Sequence, residues 1–411
     1  MLILKLAWRN LGRNRRRTIL TAIGITVGYA LTIFYMGMGE GMYRQMIDDG
    51  VRSQAGHIVV QGRGFQDERS SRIVVPDVKR VAAAVAALDA NVVAVERLIG
   101  EGILKWAGRS AGVVFMGVDE NGESKQSLLP KKLEQGRYIA ADDPSGIYVG
   151  SRLAERLGIG LGDPAVLMAQ AIDGETNQRR YRIRGIFETG VGAIDGHLMH
   201  LPLAEAQAFL GTDGGVTQVA LFFDSEEQGR ALAPVLREAL ADETLEVLAW
   251  DEAMPDLAGV VALDKAGFYV YMIIVFIIVA FSILNTILMS VLERVHEFGV
   301  MLAVGMRPGQ VMRLVVAEGA ILGFACLIIG SALVLPVNAY YAANGMDITA
   351  MLPGGEYEVA GVSVNPLIYF HTPWLRVAVC AACVFALTVL ISAYPAAKAA
   401  RLNPIEAINQ P

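Results

Sequence analysis

The chain is expected to be a membrane protein of four transmembrane α-helices, with a large α+β extracytoplasmic domain between helices 1 and 2. Three observations predict this class. Of the 411 residues, 54% are hydrophobic and 18% charged, a balance too apolar for an ordinary soluble protein. Four apolar runs, at residues 19–38, 268–292, 314–337 and 374–394, are each long enough to cross a bilayer as a helix. Between the first two, residues 56–250 have the mixed composition of a soluble domain and suffice to bury a core of their own.

Residues 1–18 are basic through Lys5, Arg9, Arg13, Arg15, Arg16 and Arg17, and the uncharged run 19–38 follows directly. A signal peptide is the rival reading, but its apolar region spans about 7–15 residues and ends at a small-residue cleavage site. The longer run predicts an uncleaved anchor with its basic end in the cytoplasm. Gly24 and Gly28 offer a small-residue face for close helix packing. Residues 39–55 keep helical spacing through Tyr43, Met46, Ile47, Gly50 and Val51 and predict a stalk; residues 251–267 predict a second one. Within the domain, 57–61 and 181–187 read as strands, and 76–88, 151–157, 203–210 and 226–241 as helices.

The third run carries Glu318 near one end, where a carboxylate reaches water or a neighbouring helix end. Residues 338–373 read as a Gly/Pro-rich loop, and Tyr340, Tyr341, Tyr369 and Trp374 suggest an aromatic belt. No Lys or Arg lies between Leu314 and Leu375, whereas Asp347, Glu356 and Glu358 do. The positive-inside rule therefore puts segments 1–18, 293–312 and 395–411 in the cytoplasm, and the large domain and the 338–373 loop outside, in the periplasm.

Segment 293–312 is short, carries both signs of charge and reads as helix until Pro308. Phe298, Met301, Leu302 and Gly305 share one face at helical spacing, with Arg294 and Glu297 beside them. Such a helix can present an apolar face to a partner's groove, and Gly305 would admit a close backbone approach. The same pattern fits a plain interfacial turn helix.

The motif Arg294-x-x-Glu297-Phe298-Gly299-x-x-x-Ala303-x-Gly305 resembles the coupling helix of the MacB/FtsX/LolCDE family of ABC-transporter permeases. Phe298 stands where an aliphatic residue is commoner, and His296 where a basic one is usual. Ala7-x-x-x-Leu11 with Arg17-Thr18-x-Leu20-Thr21-x-x-Gly24-Ile25 resembles that family's first span. The tail Pro395-Ala396-x-x-Ala399-Ala400-x-x-Asn403-Pro404-Ile405-x-Ala407-Ile408 resembles its C-terminal signature. The large domain matches in position, size and its Gly56-His57-Ile58-Val59 opening. The resemblance implies docking of Arg294, Glu297, Phe298, Gly299, Met301, Leu302, Ala303 and Gly305 on an ABC ATPase subunit. ATP and Mg would sit on that partner, with no cofactor in this chain. It also implies a second permease subunit, identical or related, and a motion passed along the stalks to the outer domains.

The residues offer little chemistry of their own. The nearest approach to a phosphate loop, Gly117 to Ser124, has Glu123 where the phosphate-binding Lys belongs. His197 and His200 with Asp195 fall short of a zinc shell, so a domain surface or strand edge is the reading there and no metal is expected. No Gly-x-Ser-x-Gly elbow occurs, and His371 reads as interfacial. Asn285 can hydrogen-bond a neighbouring span. The three cysteines, Cys326, Cys380 and Cys383, all lie in apolar stretches, and a net charge of −6 gives no sign of nucleic-acid binding.

Spans without a polar lining argue against a hydrophilic substrate. Within the resembled family, the layout is nearest the lipoprotein-releasing branch, with a lipoprotein or other periplasmic cargo and membrane lipid as partners. Acyl chains would then enter a gap lined by Ile25, Tyr29, Ile33 and Met36 of the first span and Tyr271, Val275, Ile278 and Ser282 of the second. The alternatives are MacB-like expulsion of a peptide, toxin or drug, FtsX-like activation of a cell-wall hydrolase, and a receptor unrelated to ABC transport.

Overall fold

The computed structural model describes residues 2–11, 15–88, 90–351, 358–363 and 365–401. Arg13, Glu356 and the C-terminal motif from Asn403 onward lie outside the described residues. The chain divides into two compact units. One comprises Met1–Tyr43, Leu263–Ile348 and Leu367–Pro411; the other comprises Arg44–Ala262 and Thr349–Pro366.

Among the described residues, four helices are long and apolar enough to cross a membrane: Thr18–Ala55, Pro255–Glu293, Pro308–Asn344 and Trp374–Ala400. All exceed the apolar runs that announce them. The first is α-helical over Arg15–Gly50 and closes with a π-helical turn, Val51–Ala55. Its 36 α-helical residues measure about 54 Å at 1.5 Å each, against a hydrocarbon thickness of about 30 Å. The surplus covers the helical continuation expected at 39–55; the one expected at 251–267 is broken at Met254, between a short helix Trp250–Ala253 and the start of Pro255–Glu293.

Two boundaries differ from the reading of the sequence. Residues 338–344 are helix rather than loop, because the third span runs to Asn344 and Tyr341 packs its ring against Phe370 at 5.1 Å. Of the four aromatics expected as a belt, Tyr341 therefore turns inward, while Tyr340, Tyr369 and Trp374 stay exposed. Residues 395–400 continue the fourth helix, with Pro395 inside it, because fully buried Ala396 and Ala399 hold that turn against the bundle. A short helix, Leu2–Leu11, precedes the first span and buries Ala7.

The core of this unit is a stripe from each span, among them Ile25, Tyr29 and Ile33, then Val279, Ile283 and Ile287, then Leu314, Leu322 and Cys326, then Cys380 and Val384. Ile23, Val27, Leu31, Ile274, Ile278 and Phe281 are exposed instead, as lipid-facing positions should be.

The other unit is built on a ten-stranded sheet. Its strands are β1 (Ile58–Gly62), β2 (Val93–Trp106), β3 (Arg109–Val118), β4 (Leu133–Gly136), β5 (Gly146–Gly150), β6 (Pro164–Gln170), β7 (Thr176–Phe187), β8 (Leu198–Pro202), β9 (Gln218–Phe222) and β10 (Leu245–Ala249). The order is β10-β1-β9-β2-β3-β8-β5-β7-β4, with β6 bridging β2 and β7. Helices Val78–Ala86, Ser151–Leu157, Leu203–Leu210 and Glu226–Ala239 pack on it at the positions read from periodicity. Asp77 and Ser225 cap the first and last of these by accepting from Arg80 N at 3.0 Å and Gln228 N at 3.2 Å. Apolar cores form around Phe115, Tyr181 and Phe209, around Ile58, Val81 and Leu236, and around Val118, Tyr148 and Phe187.

Between β2 and the helix Glu120–Gln126 lies a fully buried ion pair. Arg97 donates from Nε to Glu123 Oε2 at 3.0 Å and from Nη2 to Oε1 at 2.7 Å. His200 is buried near it, its Nδ1 2.9 Å from the Tyr138 hydroxyl.

Candidate functional site

The second span ends at Glu293, and the chain breaks at Arg294 before the short helix Val295–Ala303 begins. Arg294 holds this corner. Its Nη1 donates to Glu318 Oε1 and Oε2 at 3.0 and 3.1 Å, and its Nε to Glu297 Oε2 at 3.1 Å. The guanidinium also lies 5.0 Å over the Phe298 ring. Asn10 donates to Glu318 Oε1 at 2.7 Å, which ties the Leu2–Leu11 helix to the same carboxylate. Glu318 is thus buried and paired at the end of the neighbouring second span, the second of the two surroundings its place suggested. A cavity of about 170 Å³ adjoins the pair, with Asn10, Thr286, Ser290 and Glu297 in its wall.

The short helix is oriented differently from the expectation. Phe298 is fully buried, and Met301 and Leu302 pack half-buried against the span core. The face read as a partner's docking surface is therefore occupied by the chain's own bundle. The exposed side consists of His296, Val300, Ala303 and Val304, the last 84% exposed. The signal missed was a second stripe at 296, 300 and 304; the helix is apolar nearly all round, so periodicity alone names two faces.

Gly305 also has a backbone role within the chain. A Cβ there would meet nothing within 4 Å, but its φ is +101°. Met306 N donates to Met301 O at 3.0 Å and Gly305 N to Leu302 O at 3.1 Å, the two bonds of a Schellman cap with glycine in the left-handed position. Glycine ends the helix here. Gly299 is buried on the inner side, and Ala303 lies on the outer.

Gly24 and Gly28 face the second span. A Cβ at Gly28 would lie 2.9 Å from Val279 Cγ2 and 3.5 Å from Val275 Cγ1, and one at Gly24 3.3 Å from Ser282 Oγ. A polar bond between these spans joins Thr21 to Thr286; Asn285, one residue away, is exposed on the outside. This contact closes the gap expected between the two spans. Ile25, Tyr29, Ile33 and Met36 lie buried in the bundle, and the Tyr29 hydroxyl is 3.2 Å from Ser331 Oγ on the third span. On the second span, Tyr271, Val275 and Ser282 are half-buried and Ile278 is 63% exposed. Ile278 therefore turns away from the first span while Val275 packs against its buried set, the small residues at 24 and 28 bringing the helices into touch.

In the other unit, Asp195 accepts from Thr189 N and Oγ1 and from Gly190 N, at 2.7–3.0 Å. His200 is buried and His197 exposed, so the three do not converge.

Four spans, a ten-stranded α+β domain inserted after the first, and a capped corner helix after the second define a permease architecture. "MacB-like periplasmic core domain" matches residues 18–239 and "FtsX-like permease C-terminal" matches residues 269–404. The chain belongs to the MacB/FtsX/LolCDE family of ABC-transporter permeases. It is 24% identical over 399 residues to the lipoprotein-releasing system transmembrane protein LolC of Xylella fastidiosa, covering 94% of this chain and 92% of that one. It is also 24% identical over 423 residues to the macrolide export ATP-binding/permease protein MacB of Sodalis glossinidius, covering 99% of this chain and 60% of that one. Among solved structures, the periplasmic region of MacB from Actinobacillus actinomycetemcomitans aligns with 50% of this chain at 16% identity and a TM-score of 0.35.

Proposed function

We propose that this chain is a mechanotransmitting permease subunit that extracts lipoproteins from the inner membrane. It would be paired with a second permease and driven by a separate ATPase subunit holding ATP and Mg. Both termini and the corner helix face the cytoplasm in this reading, and the large domain the periplasm. The observation that carries it is the end-to-end correspondence with LolC, over nine-tenths of both chains. The exposed side chains His296, Val300, Ala303 and Val304 are the docking surface for the ATPase. Arg294, Glu297, Phe298 and Glu318 fix the root of that helix, so a push on the surface reaches the spans rather than bending the corner. Carrying the push onward needs a stiff element, which the 36-residue helix Arg15–Gly50 supplies.

A MacB-like efflux role is the second reading. It is favoured by a MacB relative at equal identity and by the domain match over 18–239. The test is release of a fluorescent triacylated lipoprotein from proteoliposomes containing the tagged chain and the subunits that co-purify with it. ATP-dependent release to an acceptor is expected. ATP-dependent movement of an unacylated peptide or macrolide, with the lipoprotein left in the membrane, would establish the second reading instead.

A further inference from the structure

A groove of about 280 Å³ opens at the Tyr43 end of the bundle, between the first, second and fourth spans. Phe268, Met272, Phe276, Leu375 and Val379 give it an apolar wall. Three charged side chains stand on its wall: Lys265, Arg376 and Glu40. None of them belongs to the corner at Arg294.

We propose that this groove holds a single phospholipid with a zwitterionic head ending in a primary ammonium. The phosphate lies at Lys265 and Arg376, the ammonium at Glu40, and an acyl chain runs along Phe268, Met272 and Phe276. The proposal needs only that these helices cross a bilayer and does not rest on the transport reading.

Length is the first argument. From Lys265 to Phe276 the second span climbs about 16 Å at 1.5 Å per residue, close to half of a hydrocarbon core about 30 Å thick. The groove therefore has the depth of one leaflet, with its charges at the headgroup end. Aromatic residues mark the same level. Tyr269 and Trp374 are 57% and 67% exposed, and Tyr35 stacks on Phe268 at 5.7 Å.

Charge is the second argument. Arg376 Nη1 donates to Glu40 Oε2 at 2.6 Å, but the arginine side chain remains 53% exposed, so its other donors face outward. Lys265 lies 5.4 Å over the Tyr43 ring and makes no ion pair among the described residues. The fourth charge nearby, Asp264, accepts from the Tyr43 hydroxyl. Two cations and two carboxylates balance, which suits a zwitterion better than a purely anionic head. A primary ammonium can donate to Glu40; a quaternary one cannot.

The test uses the full chain in nanodiscs containing photoactivatable ethanolamine, choline or glycerol phospholipid, each with a diazirine midway along one acyl chain. Crosslinks from the ethanolamine lipid should concentrate in 268–276 and 375–383, about tenfold above the choline lipid for one charge-assisted hydrogen bond. Glu40→Gln should abolish that difference while leaving phosphate-dependent binding, and Lys265→Ala with Arg376→Ala should lower all three lipids. Val379→Trp, which fills the groove without touching the charges, should remove the crosslinks even if the Glu40 variant is unstable. Cys383, the exposed cysteine on this wall, gives an independent readout: ethanolamine lipid should slow its alkylation. Equal labelling by all three lipids, with Ile274 and Ile278 as heavily marked as Phe276, would mean ordinary annular lipid and overturn the proposal. Displacement of the lipid by an acylated peptide irrespective of headgroup would assign the groove to cargo and overturn it too.

Discussion

At Arg294 a guanidinium buried beside a span end contacts Glu318, Glu297 and the Phe298 ring, yet its Nη2 has no hydrogen-bond partner among the described residues. The site therefore depends on the Glu318 pair. Breaking a buried pair from one side costs about 3–5 kcal/mol, while exchanging both members for apolar groups can be neutral. Glu318→Gln should lower the melting temperature of the detergent-solubilised chain markedly, and Arg294→Met with Glu318→Leu should recover most of the loss. Equal melting of Glu318→Gln and the parent would show the pair to be idle. His200 makes a second prediction, about pH. Burial pushes its imidazole down from 6.5 to about 4. The folded state thus keeps His200 neutral where the unfolded chain would already be protonated. Stability from this group is full above about 6.5 and falls as pH drops towards 4, by up to about 1.4 kcal/mol per pH unit. His57, whose Nδ1 accepts from Phe223 N at 3.0 Å, is pushed down by burial in the same sense. The pH dependence of unfolding of the full chain, followed at the domain's tryptophans between pH 7 and 4, should flatten in His200→Gln, and an unchanged slope would show that His200 contributes nothing to it.

The corner helix, Val295–Ala303, is the element on which the transport reading turns. Val304→Asp places a charge on the exposed side and should weaken ATPase binding by about tenfold or more while leaving the melting temperature unchanged. Gly305→Val acts through the backbone. A β-branched residue at φ +101° is strained by about 1–3 kcal/mol, so the cap should fray and the stimulation of ATP hydrolysis by permease should fall. Unchanged ATPase affinity in both variants, by surface plasmon resonance on the reconstituted permease, would remove the docking assignment. This helix also shows where the sequence is legible and where it stops. Its existence and the placing of Arg294 and Glu297 beside it followed from composition, but its end did not: the reading ran to Pro308, whereas the chain is capped at Gly305. Its orientation did not, because Phe298 and Val304 are both apolar and only the neighbouring spans decide which is covered. The same limit explains Asn285 and Thr286: adjacent residues on one helix, of which the larger amide was the natural choice, but the hydroxyl faces Thr21. Span lengths were underestimated for another reason. Hydropathy measures the part in hydrocarbon, and residues 338–344 stay helical through backbone bonds and the Tyr341–Phe370 contact without being apolar.

Over the whole molecule, the four spans and the inserted domain were readable, because composition changes sharply at each boundary and each span repeats a buried stripe. The orientation in the membrane is a testable consequence of the same charges. In a cysteine-free background, a cysteine at Lys125 should react with an impermeant maleimide in intact spheroplasts, and one at Gln310 only after lysis. The reverse pattern would invert the protein. The pair at Arg294 and Glu318 carries a further consequence for biosynthesis. The two residues are separated by 24 positions, so the arginine leaves the ribosome at the foot of a finished span ahead of its carboxylate. A lone buried guanidinium is more expensive in hydrocarbon surroundings than the neutral duo. The second and third spans should therefore settle in the bilayer together, as a hairpin, with the nascent second span held at the insertion machinery until Glu318 emerges.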